Sequence, residues 1–216
     1  MTSTETTPKS RRRTTRGVAK PGRTRRAPDA LDNLIEDHRR VDALLERATS
    51  DRVRRDTLAN LVEQIGEELA IHAGIEEMVL YPAARAALQE ARGDDDADVL
   101  EALEEHHVVK SILAELARLP VADERFAAKV SVLAEIVRHH VKEEETELFP
   151  RLRRLIPAEQ LQQMGPLLDE ARIVAPRQAH PHAPDQPPGN IIANVMTLPV
   201  DLVGKVVSRV VHRIAG

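Results

Sequence analysis

Residues 72–82 read HAGIEEMVLYP, and residues 140–150 read HVKEEETELFP. Both follow His-x-x-x-Glu-Glu-x-x-Leu-aromatic-Pro, and they lie 68 residues apart. A second pair has the same offset. DHRRVDALL at 37–45 and EHHVVKSIL at 105–113 share an acid–His start with apolar residues at matching places. The body is therefore an internally duplicated helix pair. The duplication also sets a register: His38 corresponds to His106 rather than His107, His72 to His140 rather than His139, and Glu76 to Glu144.

Working outward, apolar residues recur at helical spacing on both sides of these motifs. Leu31, Leu34, Ile35, Val41, Leu44 and Leu45 predict a first helix to about Ala48. A second runs from the fifties through Leu58, Leu61, Ile65 and Leu69 toward Leu80-Tyr81-Pro82. The glycine-acidic stretch RGDDDAD (92–98) precedes a third, and the turn LPVADE (119–124) a fourth that ends at Leu148-Phe149-Pro150. Long helices with short connections predict an all-α, up-down-up-down antiparallel four-helix bundle. A short helix over about 158–172 should pack on one end. The chain thus divides into a basic tail (1–28), the bundle with its end helix (29–172), a Pro-rich linker (173–189) and a C-terminal segment (190–216).

Composition narrows the chemistry. There is no cysteine, so disulfides, thiolate ligands and cysteine nucleophiles are excluded. Only Tyr81, Phe126 and Phe149 are aromatic, so the core is built from Leu, Val, Ile and Ala. No apolar run reaches the roughly 18 residues of a membrane span, and no secretory signal is evident. The expected location is the cytoplasm. Residues 1–28 carry nine Lys/Arg against one acid, leaving 22 basic and 34 acidic residues in the rest of the chain. Such a tail predicts disorder, with non-specific binding to acidic partners or nucleic acid as its functional reading. Near the C-terminus Val203, Val206, Val207, Val210, Val211 and Ile214 share one helical face, with Lys205, Arg209 and Arg213 opposite. This is an amphipathic helix that should pack on protein or on an anionic membrane.

The repeated polar residues demand a reason. His38, His72, His106 and His140 are spaced by 34 throughout, one per predicted helix. A His and a Glu four residues apart share a helical face. Four imidazoles and two carboxylates inside an apolar bundle carry a large desolvation cost unless paired. Bound metal removes that cost. Imidazole with carboxylate and no sulfur suits iron first, with manganese, zinc or copper also compatible.

On these motifs, over about residues 30–152, the chain resembles the hemerythrin-like domains with the HHE cation-binding motif. The resemblance implies a four-helix bundle holding a non-haem di-iron centre. It implies His38, His72, Glu76, His106, His140 and Glu144 as the direct metal ligands, with Glu145 an alternative to Glu144. Hemerythrin proper has a fifth histidine four residues after the third-helix histidine; here that place is Lys110. One ligand fewer leaves one more open position. The expectation is therefore reaction with, or sensing of, dioxygen, peroxide or nitric oxide, with Lys110 available to hydrogen-bond a bound ligand. The rival expectation is a non-catalytic iron-binding or iron-responsive protein whose tails bind partners. His107 and His139 read as flanking residues, Glu68 as solvated, and His180, His182 and His212 as lying outside the bundle. Tyr81 and Phe149, nine residues past their histidines, fall about 180° around a straight helix and read as end-packing residues.

Overall fold

The structure, a computed structural model, describes Met1 and residues 28–91 and 96–179. The basic tail, the Pro-rich linker beyond residue 179 and the C-terminal amphipathic helix lie outside the described residues. Every regular element among the described residues is helical. Helix α1 is Ala30–Ala48, α2 Arg55–Ile75, α3 Tyr81–Glu90, α4 Ala97–Leu116, α5 Glu124–Glu143, α6 Phe149–Leu155 and α7 Ala158–Val174.

Local chemistry explains where these helices begin. Asp29 caps α1 by accepting from the Asp32 N–H, and the Asp32 carboxylate accepts from the Asp29 N–H, both at 3.0 Å. Arg153 on α6 clamps this reciprocal box at 2.6 Å to Asp29 and 2.7 Å to Asp32, tying the start of the bundle to its last turn. Asp123 caps α5 by accepting from the Arg125 N–H at 2.9 Å.

Neither aromatic-Pro motif ends its helix. Short π-helical segments, Glu76–Leu80 and Glu144–Leu148, join α2 to α3 and α5 to α6. Each closes with an i→i−5 bond, from the Tyr81 N–H to Glu76 O and from the Phe149 N–H to Glu144 O. Proline lacks a donor and crowds the carbonyl four residues back. One widened turn makes room for it, and the helix continues to Glu90 and Leu155. The two π segments are themselves 68 residues apart, so the duplication extends to the backbone irregularity.

Two apolar clusters fill the interior, and the polar layer lies between them. One contains Leu34, Ile75, Leu80, Leu103 and Leu148. The other contains Val41, Leu69, Val109 and Val137. Along the chain, α1 passes from the first cluster through His38 to the second, and α2 passes back through His72. Helices α4 and α5 repeat the traverse through His106 and His140. Helix α7, two residues longer than expected, lays Leu161, Leu167, Leu168, Ala171 and Val174 into the first cluster against α1 and α2. Each fully buried leucine there contributes roughly 1.5–3 kcal/mol.

Candidate metal centre

Each of α1, α2, α4 and α5 delivers one histidine to a common level, and all four are at most 5% exposed. Their Nε2 atoms face inward in two pairs. His38 and His72 approach to 3.1 Å, His106 and His140 to 3.2 Å. Glu76 and Glu144, the first residues of the two π segments, lie between the pairs. Glu76 Oε2 is 3.2 Å from His72 Nε2 and 3.4 Å from His106 Nε2. Glu144 Oε2 is 3.2 Å from His38 Nε2 and 3.5 Å from His140 Nε2. Each carboxylate therefore spans the two histidine pairs. All six sequence-predicted residues converge, as one group of His38, His72, Glu76 and Glu144 and another of Glu76, His106 and His140.

The outward-facing Nδ1 atoms meet a second set of carboxylates. Glu145 lies 2.9 Å from His38, Glu77 3.0 Å from His106 and Glu105 2.8 Å from His140. Asp37 stands 3.8 Å from His72. Asp37 and Glu105 are equivalent under the 68-residue offset, as are Glu77 and Glu145, so the duplication includes this outer set. Such partners hold an imidazole in the tautomer and orientation that present Nε2 to a metal. Sequence reasoning assigned none of them this part, although each is the immediate neighbour of an inner His or Glu in the repeated motif. Glu145 is thereby placed on His38 Nδ1, not among the inner residues.

Electrostatics follow from burial. Burial, reinforced by the Glu144 charge, holds the Glu76 carboxyl well above its usual range. Glu144 goes the other way, held low against burial by His140 and His38. Burial pushes His72 down to about 4 despite Asp37, and it lowers His106 too. Asp37, which burial would raise, is held at about 2 by His72 and Arg172.

Lys110 Nζ donates to Glu77 at 2.6 Å. It is engaged in the outer set, behind His106. Tyr81 is not an end-packing residue. Its hydroxyl donates to Glu144 Oε1 at 3.0 Å and lies 3.3 Å from His106 Nε2. The straight-helix angle missed this because the π turn rotates less per residue, bringing Tyr81 back to the interior. Phe149 stacks on His38 with ring centroids 5.8 Å apart. His107 is exposed and His139 has a 58% exposed side chain, as flanking residues should. Glu68, 38% exposed, lies 4.0 Å from Arg40.

The residues fit bound metal. Three of the four inner carboxylate oxygens, both of Glu76 and Oε2 of Glu144, are buried and accept no well-directed hydrogen bond. Buried acceptors left in this state are costly, and four imidazole nitrogens beside them complete a hard-to-borderline donor set. On the side of Val41, Leu69, Val109 and Val137 the four imidazoles border a small, mostly apolar space of about 20 Å³. That holds a molecule of only a few atoms.

The family profile described as hemerythrin HHE cation binding domain matches residues 29–152. An uncharacterized hemerythrin-like protein of Schizosaccharomyces pombe is 27% identical over 171 residues, covering 79% of this chain and 82% of that protein. A DNA nickase of a Nostoc species is 30% identical over 132 residues, which are 61% of this chain but 36% of the nickase. This chain therefore matches about a third of that protein's length. The crystal structure of a hemerythrin HHE cation binding domain-containing protein from Mycobacterium kansasii superposes with a TM-score of 0.56 at 20% identity, covering 83% of this chain and 99% of that one. That likeness is one of fold.

Proposed function

Because this chain belongs to the hemerythrin HHE cation binding domain family, we propose that its metal centre holds two iron ions and reacts with or senses dioxygen, peroxide or nitric oxide. His38, His72, Glu76, His106, His140 and Glu144 would hold the ions, with the two carboxylates shared between the histidine pairs. The observation that carries this reading is the set of buried, unsatisfied oxygens on Glu76 and Glu144 facing four imidazole nitrogens. Manganese or zinc suits the same donors, but mixed imidazole and carboxylate without sulfur favours iron. Iron so held supplies redox chemistry toward small oxygen and nitrogen species.

The chain's own residues limit what arrives and steer protons. The 20 Å³ apolar space beside the imidazoles admits a diatomic or peroxide-sized ligand and excludes larger substrates. Two flanking apolar clusters keep bulk water out. Glu77, Glu105 and Glu145 fix His106, His140 and His38 through Nδ1. Tyr81 holds a proton on Glu144 Oε1, and burial with two carboxylates nearby keeps that phenol protonated far above neutral pH. We further read the long helices as an up-down-up-down antiparallel bundle, which the alternate traverse between the two apolar clusters supports. The same reading takes 29–172 as the domain, the cytoplasm as its location, and the basic tail and C-terminal segment as contacts for acidic partners and for protein or anionic membrane.

Metal analysis with an absorption spectrum of the oxygen-exposed protein tests the centre: two irons per chain with an oxo-bridged band are expected, and none overturns it. The second reading, a non-catalytic iron-binding protein, differs in turnover. Peroxide consumption by the iron form supports reaction; iron binding with neither consumption nor a spectral response to dioxygen, peroxide or nitric oxide favours the rival.

A further inference from the structure

The two halves of the duplication build two positionally equivalent grooves, each beside a His–Glu pair of the centre. In the first half the groove between α1 and α2 is lined by Ala30, Leu34, Ile75 and Val79, all at most 1% exposed. Leu168 and Ala171 of α7 share their apolar cluster, and Gly165 of α7 sits over Ala30 and Asn33. A Cβ placed on Gly165 would stand 3.5 Å from the Asn33 amide. This groove is covered by protein.

The second-half groove, between α4 and α5, keeps an apolar residue where Leu34 becomes Ala102 but differs at the positions around it. Under the 68-residue offset Ala30 becomes Asp98, Asn33 becomes Glu101, Ile71 becomes His139, Ile75 becomes Glu143 and Val79 becomes Glu147. Every one of these changes replaces an apolar or neutral side chain with an acid or a histidine. An open cavity of about 60 Å³ remains there, lined by Asp98, Glu101, Glu105, Glu143 and Glu147 and floored by His140 and Glu144. Asp98 is engaged by Arg151 at 2.6 Å. At the mouth His139 Nε2 lies 3.1 Å from Glu143 Oε1 and 3.8 Å from Glu105 Oε1, and the three converge closely enough to share a cation. Glu105 uses its other oxygen on His140 Nδ1 at 2.8 Å, so mouth and centre share one side chain.

An acidic surface alone would be only a solvated face. The floor distinguishes this one. Glu144, which lines the same cavity, is 2% exposed, and its Oε2 accepts no well-directed hydrogen bond. A buried carboxylate with one unsatisfied oxygen at the floor of an acidic cavity is a destination for a cation.

We propose that the α4–α5 groove is the entrance through which divalent metal ions load the centre, with His139, Glu143 and Glu105 holding the ion at its mouth. This rests on the metal-binding reading above. A concave surface lined by one sign of charge raises the local concentration of the opposite ion and its arrival rate. The buried centre needs such a path, because apolar clusters close both ends of the bundle around it.

The test is the rate at which metal-free full-length protein takes up cobalt(II), followed by stopped-flow absorbance, with the final metal content measured separately. The triple variant E101Q/E143Q/E147Q should end with the same two metals as the unmodified chain but load about tenfold more slowly, within the range of electrostatic steering. His139→Ala should also load more slowly, at the same final content. A control, E46Q/E63Q/E135Q, removes equal charge from exposed positions elsewhere and should load at the unmodified rate. Loading of the groove triple at the control's rate overturns the entrance. So does a fall in its final metal content, which would make the groove residues part of the centre itself. If the unmodified chain binds no metal at all, the proposed function fails first.

Discussion

Tyr81 donates to Glu144 Oε1 across 3.0 Å, while its mate in the duplication, Phe149, lies against His38 and brings no hydroxyl to the centre. The two halves therefore offer different surroundings to otherwise matched histidine pairs. Tyr81→Phe makes them alike. It removes one donor from a buried carboxylate, a loss of about 1.5–3 kcal/mol for a hydrogen bond to a charged group. Urea unfolding of the metal-free variant should show that destabilisation, with two metals still bound after reconstitution. Unchanged stability would mean that the phenol makes no such bond.

The register of the duplication gives a second prediction. His140→Ala and His106→Ala should each lose at least one metal per chain and melt at lower temperature, since bound metal stabilises the native state. His139→Ala and His107→Ala should keep two metals and near-normal melting, because both side chains are exposed. Metal quantification on the four purified variants decides the matter. A reversed pattern within either pair defeats the repeat-based register.

What could be read from the sequence is what the repeat made redundant. One His on one helix carries little weight, but His38, His72, His106 and His140 with Glu76 and Glu144 at a fixed offset pointed to one layer. The π turns were not legible, because pattern reading assumes a constant rotation per residue; that assumption made Leu-aromatic-Pro look like a helix end and turned Tyr81 outward. The outer carboxylates were hidden differently. Glu77 and Glu145 follow an inner glutamate directly, where an acidic residue ordinarily reads as a solvated face. Only three-dimensional packing shows that each reaches a histidine on another helix.

Deletion of residues 190–216 should leave metal content at two per chain. All six inner residues and their four outer partners lie between Asp37 and Glu145, and among the described residues the last helix ends at Val174. Inductively coupled plasma analysis of the truncated protein checks this. Loss of metal on truncation would place the domain boundary further toward the C-terminus.

The outer carboxylates are equivalent by position yet unequal in use, and this separates affinity from stability. Glu105 sits 2.8 Å from His140 Nδ1, whereas Asp37 stands 3.8 Å from His72 Nδ1, an atom left without a hydrogen bond. Asp37 is drawn away by Arg172 of α7, 2.6 Å from its Oδ2, and by Arg40 on its Oδ1. Partners that orient a metal-binding histidine typically carry about 10–100-fold of affinity. Glu105→Gln should therefore weaken metal binding by about that factor, measured by chelator competition at equilibrium so that loading rate does not enter. Asp37→Asn should weaken it less, because His72 has little to lose. The same substitution deprives two guanidinium groups of a buried charge and loosens α7 from α1, so the metal-free protein should lose about 1.5–3 kcal/mol in urea. Equal losses of affinity from both variants would show that Asp37 turns from Arg172 to His72 when metal binds.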